Sequence, residues 1–204
     1  MSSLNSCNVY VAYNRRFYQS IEKCKEFLTD NKEPLNVHFE FTEWSHIIKN
    51  LSTPKTILNN WFLANSSHVA DLAFYFGGIP KEITCFTSGK LDWHNSASNF
   101  SGAGISVNKA LFSYQANWNS PGRWGLEIMT KNHRLILRPI EELKIQKIGS
   151  ISIKNIKIDN ELDLKFKPGL YLQVENFLNG NCEDFCSINY QMEMMEFYNK
   201  IANY

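Results

Sequence analysis

The sequence predicts an α+β domain, an open and mainly antiparallel β-sheet with helices packed on one face. Strand-like alternation of apolar and polar residues fills one continuous region, 83–158, and helical periodicity is found before and after it. A doubly wound parallel sheet would instead need strands and helices to alternate along the whole chain. The 204 residues suit one substantial hydrophobic core, so we expect a single main domain.

Composition excludes several classes of partner. Apolar residues make up 44% and charged residues 20% of the chain, as in folded globular proteins. The 21 Lys and Arg residues nearly balance the 20 Asp and Glu residues, so no broad basic face is expected and nucleic acid is not a predicted partner. Without a long apolar run or a leader-like start, we expect no membrane association and a cytoplasmic protein.

Two helices and one strand come first. Apolar residues recur at helical spacing over 17–28, which predicts an amphipathic helix. Strict alternation over 37–42 then predicts a half-buried strand. A second helix, marked by 69–76, is expected to end at Gly77-Gly78, a natural C-cap.

The long central region predicts several antiparallel strands. Its clearest strand, Ala110–Trp118, places every aromatic residue on one face. The turn signals that divide the region are Asn95–Ser98, Asn119–Gly122, Lys131-Asn132 and Gly149-Ser150. A slip of the alternation near Lys154-Asn155 predicts a bulge or a bend. The glycine cluster Ser101–Gly104 lies between strand candidates and not before a helix, so we expect a turn or bulge there and no phosphate-binding loop.

Two helices close the chain, one over 170–178 and one from about Ser187 to Ile201. Helices on one face leave the other face of the sheet open. Two or three helices can bury the aromatic residues of the central strand only with tight packing. A second subunit is therefore a candidate cover for the sheet, and we expect a homo-oligomer.

Common catalytic and metal-binding motifs are missing from the sequence. It has no G-x-G-x-x-G turn, no P-loop, no G-x-S-x-G elbow and no H-E-x-x-H pair. The five cysteines offer one close pair, Cys182-x3-Cys186, and the histidines are scattered, so no metal site is expected. We expect reduced and mostly buried thiols.

Three segments carry a resemblance to a known family: Val11–Phe17, Asn65–Ala73 and Pro121–Gly125. Together they resemble the C-terminal domain of the glucose-fructose oxidoreductase and inositol dehydrogenase family, Gfo/Idh/MocA. The first is similar to the passage from the Rossmann domain into the C-terminal domain, and the second to the catalytic helix. The likeness covers residues 8–204.

The resemblance implies a division of the chain and of the chemistry. Residues 1–14 would be the end of a Rossmann domain and a linker, and residues 15–204 a substrate-binding and oligomerisation domain. Family members bind NAD or NADP in an N-terminal Rossmann domain, which also carries a Glu-Lys-Pro segment whose Lys helps catalysis. Neither the glycine-rich turn nor this segment is in the sequence. We therefore expect no dinucleotide to bind to this chain alone.

His68 is the residue that matches the family's proton-relay histidine. Imidazole suits that role because its pKa lies near neutrality. The family usually has an Asp four residues earlier, where this chain has Ala64. Asn65 could bind substrate or, like Ser66, cap the helix. The alternative for His68 is a packed or hydrogen-bonded side chain. Asp71 could orient the His68 ring, be solvated or pair with an Arg.

The other candidate ligands of a substrate are Asn14, Arg15, Arg123 and Trp124. By resemblance, Asn14 and Arg15 lie where the domains meet, and Arg15 could hold a phosphate or a carboxylated sugar. The neighbouring arginines, Arg15 and Arg16, could equally be solvated. A Trp face with an Arg is suited to a sugar ring, although Trp124 could also belong to the core.

Two hypotheses follow from the sequence. The first is the substrate-side half of an NAD(P)-dependent sugar or nucleotide-sugar oxidoreductase, active with a Rossmann-domain partner. The second is a non-enzymatic sugar-binding or oligomerisation module, or the product of an interrupted oxidoreductase gene.

Overall fold

The computed structural model describes residues 9–204, and it has an eight-stranded mixed sheet with helices on one face. This confirms the predicted α+β class. Cys7 and the first eight residues of the predicted linker lie outside the described residues.

The bounds of the elements are as follows. The strands are β1 Tyr10–Val11, β2 Asn36–Glu40, β3 Pro80–Ser88, β4 Asn99–Ser106, β5 Leu111–Asn117, β6 Gly125–Met129, β7 His133–Leu137, β8 Lys144–Lys147, β9 Ile153–Asn155 and β10 Cys186–Ser187. The helices are α1 Gln19–Leu28, α2 Ser45–Ile48, α3 Lys55–Asn59, α4 Ser67–Gly77, α5 Glu161–Lys165, α6 Leu170–Leu178 and α7 Ile188–Ala202. A 3-10 turn, Asn14–Phe17, precedes α1, and a π-helical turn, Phe62–Ser66, leads into α4.

The large sheet has the strand order β3-β4-β5-β2-β6-β7-β8-β9. Every neighbouring pair is antiparallel except β2 and β5, which run parallel. The early strand β2 thus lies in the middle of a sheet built from later strands. Separately, β1 pairs antiparallel with β10, which ties the start of the described chain to the start of α7.

The face of the sheet that carries the core is covered by three helices. Helix α4 packs against β2 and β6, and α7 packs against β3 and β4. Near β7, the Ser20 hydroxyl of α1 donates to the carbonyl oxygen of Ile140 at 2.6 Å. The aromatic residues of β5 and the residue after it, Phe112, Tyr114 and Trp118, are all buried within this one chain. No second subunit is needed to cover them.

The cluster Ser101–Gly104 lies inside β4, so the expected turn or bulge is wrong. Its two glycines make room for aromatic rings on β5. A Cβ atom at Gly102 would lie 2.5 Å from the ring of Tyr114, and one at Gly104 would lie 2.5 Å from the ring of Phe112. Real Cβ atoms do not approach that closely, so glycine here permits the packing of the core.

The opposite face of the sheet exposes apolar side chains. Phe86 on β3 is 67% exposed, Leu111 on β5 is 57% exposed, and Ile153 on β9 is 55% exposed. Exposed apolar residues on one face are typical of a surface that contacts another molecule.

Most predicted elements are found, with differences at several points. The four turn signals connect strands, and α4 ends at Gly77 with Gly78 as its C-cap, as predicted. The bulge near Lys154-Asn155 is wrong, because β9 pairs with β8 in continuous register and ends at Asn155. The short helices α2, α3 and α5 have four or five residues each, too few for a clear period in the sequence.

Candidate functional site

His68 lies in the first turn of α4 and is partly buried. Its ring meets that of Tyr13 edge to face at a centroid distance of 5.0 Å, and it is stacked on Trp124 at 6.4 Å. Its Nδ1 atom is buried and has no hydrogen-bond partner among the described residues. Burial, together with the positive charges of Arg15 and Lys167, lowers the pKa of His68 to about 3. At neutral pH the ring is therefore an uncharged base.

Glu43 is the buried centre of the hydrogen bonds around His68. Its side chain is 1% exposed, and its Oε1 accepts from the Asn65 amide at 2.9 Å, the Ser66 hydroxyl at 2.7 Å and the Trp124 indole at 3.2 Å. The Arg123 guanidinium donates to Oε2 at 3.0 Å. Burial raises the pKa of Glu43, and these donors offset that effect in part. The carboxylate thus fixes both the turn before His68 and the loop that carries Trp124.

This arrangement corrects the expected N-cap of α4. Ser66 has helical backbone angles and makes no side-chain cap, because the π-helical turn continues the helix backwards. Both Asn65 and Ser66 direct their polar atoms to Glu43 instead. Glu43 was missed in the sequence because it lies in a loop after β2 and belongs to no motif.

Trp124 lies between the two predicted arginine ligands. The guanidinium carbon of Arg15 is 4.9 Å and that of Arg123 is 4.8 Å from its ring centroid. Arg123 also lies 5.2 Å from the ring centroid of Trp44, which is 45% exposed. Trp124 itself is buried, as expected of a core residue. Its ring is nevertheless stacked on that of His68, so it is also part of the site.

Arg15 is held by Asn14 and has no ion-pair partner within residues 9–204. Its Nη1 donates to Asn14 Oδ1 at 2.9 Å, and Asn14 Nδ2 donates to the carbonyl oxygen of Pro168 at 2.8 Å. Burial is the main reason that the pKa of Arg15 is lowered. Beside it a narrow cleft of about 50 Å³ is lined by Arg123, Trp124 and Glu141, among others.

Arg16 and Asp71 form a buried ion pair away from the ring of His68. Arg16 Nε donates to Asp71 Oδ2 at 2.8 Å and Nη2 to Oδ1 at 2.6 Å, and the two side chains are 5% and 0% exposed. Of the three alternatives for Asp71, pairing with an Arg is the one observed. Arg16 is therefore a structural residue and not a solvated one.

All six predicted site residues fall in one region of the fold, connected by the contacts described above. They are Asn14, Arg15, Asn65, His68, Arg123 and Trp124. Three neighbours were missed, namely Glu43, Tyr13 and Lys167. Trp93 and His94 pack in the core against Trp118, and a ring nitrogen of His94 is hydrogen-bonded to the Tyr204 hydroxyl.

Two kinds of ligand site have recognisable features in a fold: the glycine-rich turn of a Rossmann-type dinucleotide site, and a cluster of metal ligands. None of the described strands passes through a glycine-rich turn into a helix, which a pyrophosphate site of that kind requires. Residues 9–204 contain no group of three His, Cys, Asp or Glu residues that could hold a metal ion. The cysteines at 24, 85, 182 and 186 are free thiols. No described helix is both long and apolar enough to cross a membrane.

A wider groove lies elsewhere on the surface. It has a volume of about 840 Å³ and lies between α1 and residues 157–164, with charges of both signs on its walls. No buried polar atom without a hydrogen-bond partner points to a ligand in it. We therefore place the candidate site at His68, where polar, charged and aromatic side chains lie close together.

The fold is that of the C-terminal α+β domain of Gfo/Idh/MocA-type dehydrogenases. One similar solved structure is UDP-N-acetylglucosamine 3-dehydrogenase GnnA from Acidithiobacillus ferrooxidans, with a TM-score of 0.70 and 11% identity over 95% of this chain and 60% of that one. Another is the dehydrogenase MviM from Clostridium difficile, with a TM-score of 0.67 and 16% identity over 99% of this chain and 64% of that one.

A third similar structure is levoglucosan dehydrogenase in complex with NADH and levoglucosan, with a TM-score of 0.64 and 15% identity over 96% of this chain and 63% of that one. The chain thus spans about 60% of the length of GnnA. No protein-family model matches the sequence, and no curated protein matches it. At these identities the comparisons establish the fold.

Proposed function

We propose that this chain is the substrate-binding and oligomerisation domain of an NAD(P)-dependent sugar or nucleotide-sugar oxidoreductase. The observation that carries the proposal is His68, a partly buried and uncharged base that by resemblance matches the family's proton relay. The structural neighbours, which include dehydrogenases of a nucleotide sugar and of levoglucosan, support the same class of reaction.

In this proposal His68 accepts the proton of a sugar hydroxyl at the carbon that is oxidised. An uncharged imidazole is the form that can take a proton, and a pKa of about 3, well below neutrality, keeps the ring of His68 in that form. Nδ1 is buried, so the sugar hydroxyl would approach the other ring nitrogen, Nε2. Tyr13 and Trp124 hold the ring from two sides, which limits its rotation.

Arg123, Trp124 and Asn65 are the proposed contacts of the sugar. Arg123 is half exposed and uses one nitrogen on Glu43, so its other N–H groups remain available to sugar hydroxyls. Glu43 keeps these three side chains in a fixed arrangement. A preorganised set of donors is suited to a small polar ligand.

The dinucleotide, NAD or NADP, would be held by a separate Rossmann domain, because none of the described strands passes through a glycine-rich turn into a helix. The exposed apolar face of α6, with Val174 48%, Phe177 53% and Leu178 76% exposed, supports contact with such a domain.

Calorimetry on the purified chain tests whether it binds the sugar while a separate domain binds the dinucleotide. We expect binding of sugars or nucleotide sugars and no binding of NAD or NADP. Tight binding of either dinucleotide by this chain alone would contradict the proposal.

A second experiment tests the role of His68 in an enzyme that pairs this chain with a Rossmann half. His68→Ala should abolish turnover and leave the far-ultraviolet circular dichroism unchanged, whereas His46→Ala, on the exposed surface, should keep full activity. Unchanged turnover of His68→Ala would remove this residue from the mechanism.

We also propose that two copies of the chain meet through the open face of the sheet. Phe86 and Leu111 are the exposed apolar residues that support this interface. Light scattering after size-exclusion chromatography should give an oligomer, and Phe86→Asp with Leu111→Asp should give a monomer. Ile151→Asp, which alters a loop residue that is 96% exposed, is the matched control. A monomeric parent chain would refute this interface.

The second candidate function is a non-enzymatic sugar-binding or oligomerisation module. Ala64 favours it, because this position lacks the carboxylate that the family usually has one turn before its histidine. Binding of sugars by the chain, with no turnover when a Rossmann half is supplied, would select this alternative.

A further inference from the structure

The positive charges around His68 are unequally compensated. Arg123 has Glu43 as its ion-pair partner, and Arg16 has Asp71. Within the described chain, Arg15 and Lys167 have no ion-pair partner, although Glu141 lines the same cleft as Arg15. Neither cation thus has a carboxylate within ion-pair distance among the described residues, although the charges of Glu141 and Glu43 act on Arg15 from farther away.

The fold brings together the two segments that carry these cations, although they are far apart in the sequence. The side chain of Asn14 accepts from Arg15 and donates to the carbonyl oxygen of Pro168, the residue after Lys167. Gly169 packs against the same backbone. A Cβ atom there would lie 2.1 Å from the carbonyl oxygen of Asn14, and its φ of +71° favours glycine. The chain around Lys167 can therefore approach Arg15 only because residue 169 is glycine.

A partly buried cation without a partner carries a desolvation cost. For Arg15, the hydrogen bond to Asn14 and the cation–π contact with Trp124 offset part of that cost, but neither side chain carries a negative charge. Lys167 is exposed, so it lies at the entrance of the site. An anionic group placed between them would form charge-assisted hydrogen bonds with both.

We propose that Arg15 and Lys167 form a subsite for a carboxylate or phosphate group of the ligand that His68 acts on. This inference rests on the proposed function and deepens it, because it makes the substrate an acidic sugar derivative and not a neutral sugar. The anion would also offset the positive charge that acts on His68, and so would increase its basicity when substrate is bound.

Calorimetry with four probes tests the subsite and separates the sources of the anion: glucose, glucuronate, glucose 6-phosphate and UDP-glucose. We expect at least one anionic probe to bind the purified chain about tenfold or more tightly than glucose. Arg15→Gln and Lys167→Gln should each remove most of that preference. Lys131→Gln, which removes an exposed charge in a distant turn, should not.

A second readout is specific to the site. The pKa of His68 can be followed in a nuclear magnetic resonance titration, because its resonance is the one missing from the spectrum of His68→Gln. The bound anionic probe should raise this pKa. Glucose at saturation should leave that pKa unchanged. A merely structural role of Arg15 and Lys167 predicts no difference between the two ligands.

The outcomes separate this inference from the proposed function. Equal affinity for glucose and the anionic probes, no binding of any probe, or variants that behave like Lys131→Gln would overturn the subsite. His68-dependent turnover of a neutral sugar would then still support the oxidoreductase. Conversely, charge-dependent binding at Arg15 and Lys167 without any turnover would keep the subsite and reject the oxidoreductase.

Discussion

The uncharged state of His68 gives the protein a specific dependence of stability on pH. The pKa of His68 is about 3 in the folded chain and about 6.5 in the unfolded chain. Between these values the unfolded chain binds a proton that the folded chain does not. Acidification through this window therefore favours unfolding, and stability rises with pH from about 3 to 6.5.

The size of this effect follows from the two pKa values. Between pH 7.5 and pH 5, proton binding by the unfolded chain at this one residue lowers the free energy of unfolding by about 2 kcal/mol. The figure is an upper value because His68 is only partly buried. It depends little on the folded-state pKa, because any value below about 4 leaves the folded ring uncharged at pH 5.

Urea unfolding of the parent chain and of His68→Gln at a series of pH values measures this contribution. The other four histidines are common to both proteins, so the difference between the two stability curves isolates residue 68. We expect the parent chain to lose about 2 kcal/mol relative to the variant as the pH falls from 7.5 to 5. Parallel curves, or a pKa near 6.5 for His68 in the folded chain, would refute the reasoning.

Three further variants test the packing around the site. Asp71→Asn leaves the buried Arg16 without its carboxylate and should lower the free energy of unfolding by about 3–5 kcal/mol in urea titrations. Gly104→Ala, whose Cβ would lie 2.0 Å from a backbone oxygen, should cost about 1–3 kcal/mol by the same assay, whereas Ala103→Ser on the exposed side of the strand should cost little. Glu43→Gln should cost about 1–3 kcal/mol and shift the tryptophan fluorescence, because an amide cannot accept from every present donor.

Each of these has an outcome that contradicts its premise. For the buried ion pair, the control is Glu196→Gln. Because Glu196 pairs with Lys200 on the exposed surface, this change should lower the free energy of unfolding by less than about 0.5 kcal/mol. An Asp71→Asn variant as stable as that control would show that Arg16 is solvated. Full stability of Gly104→Ala would mean that β4 and β5 are not so closely packed. An unchanged tryptophan fluorescence spectrum in Glu43→Gln would show that Glu43 does not accept a hydrogen bond from Trp124.

The sequence by itself determined the α+β class, the order of the main elements and the buried face of β5, because these depend on local periodicity. Residues two apart on a strand, or one turn apart on a helix, lie on the same face. A short stretch of sequence is therefore enough to predict which face is buried. The resemblance, based on three segments, placed His68, Arg15 and Trp124 as candidates, and the fold brings all three together.

Only the tertiary structure decided how these residues are connected. Glu43, Lys167 and Gly169 become important through contacts between segments separated by 20 to 150 residues, and no local pattern encodes such contacts. The insertion of β2 beside β5 is of the same kind, since a strand's neighbours in a sheet are chosen by the packing of the whole core. The position of a buried charge such as Asp71 was likewise ambiguous until its partner across the fold was known.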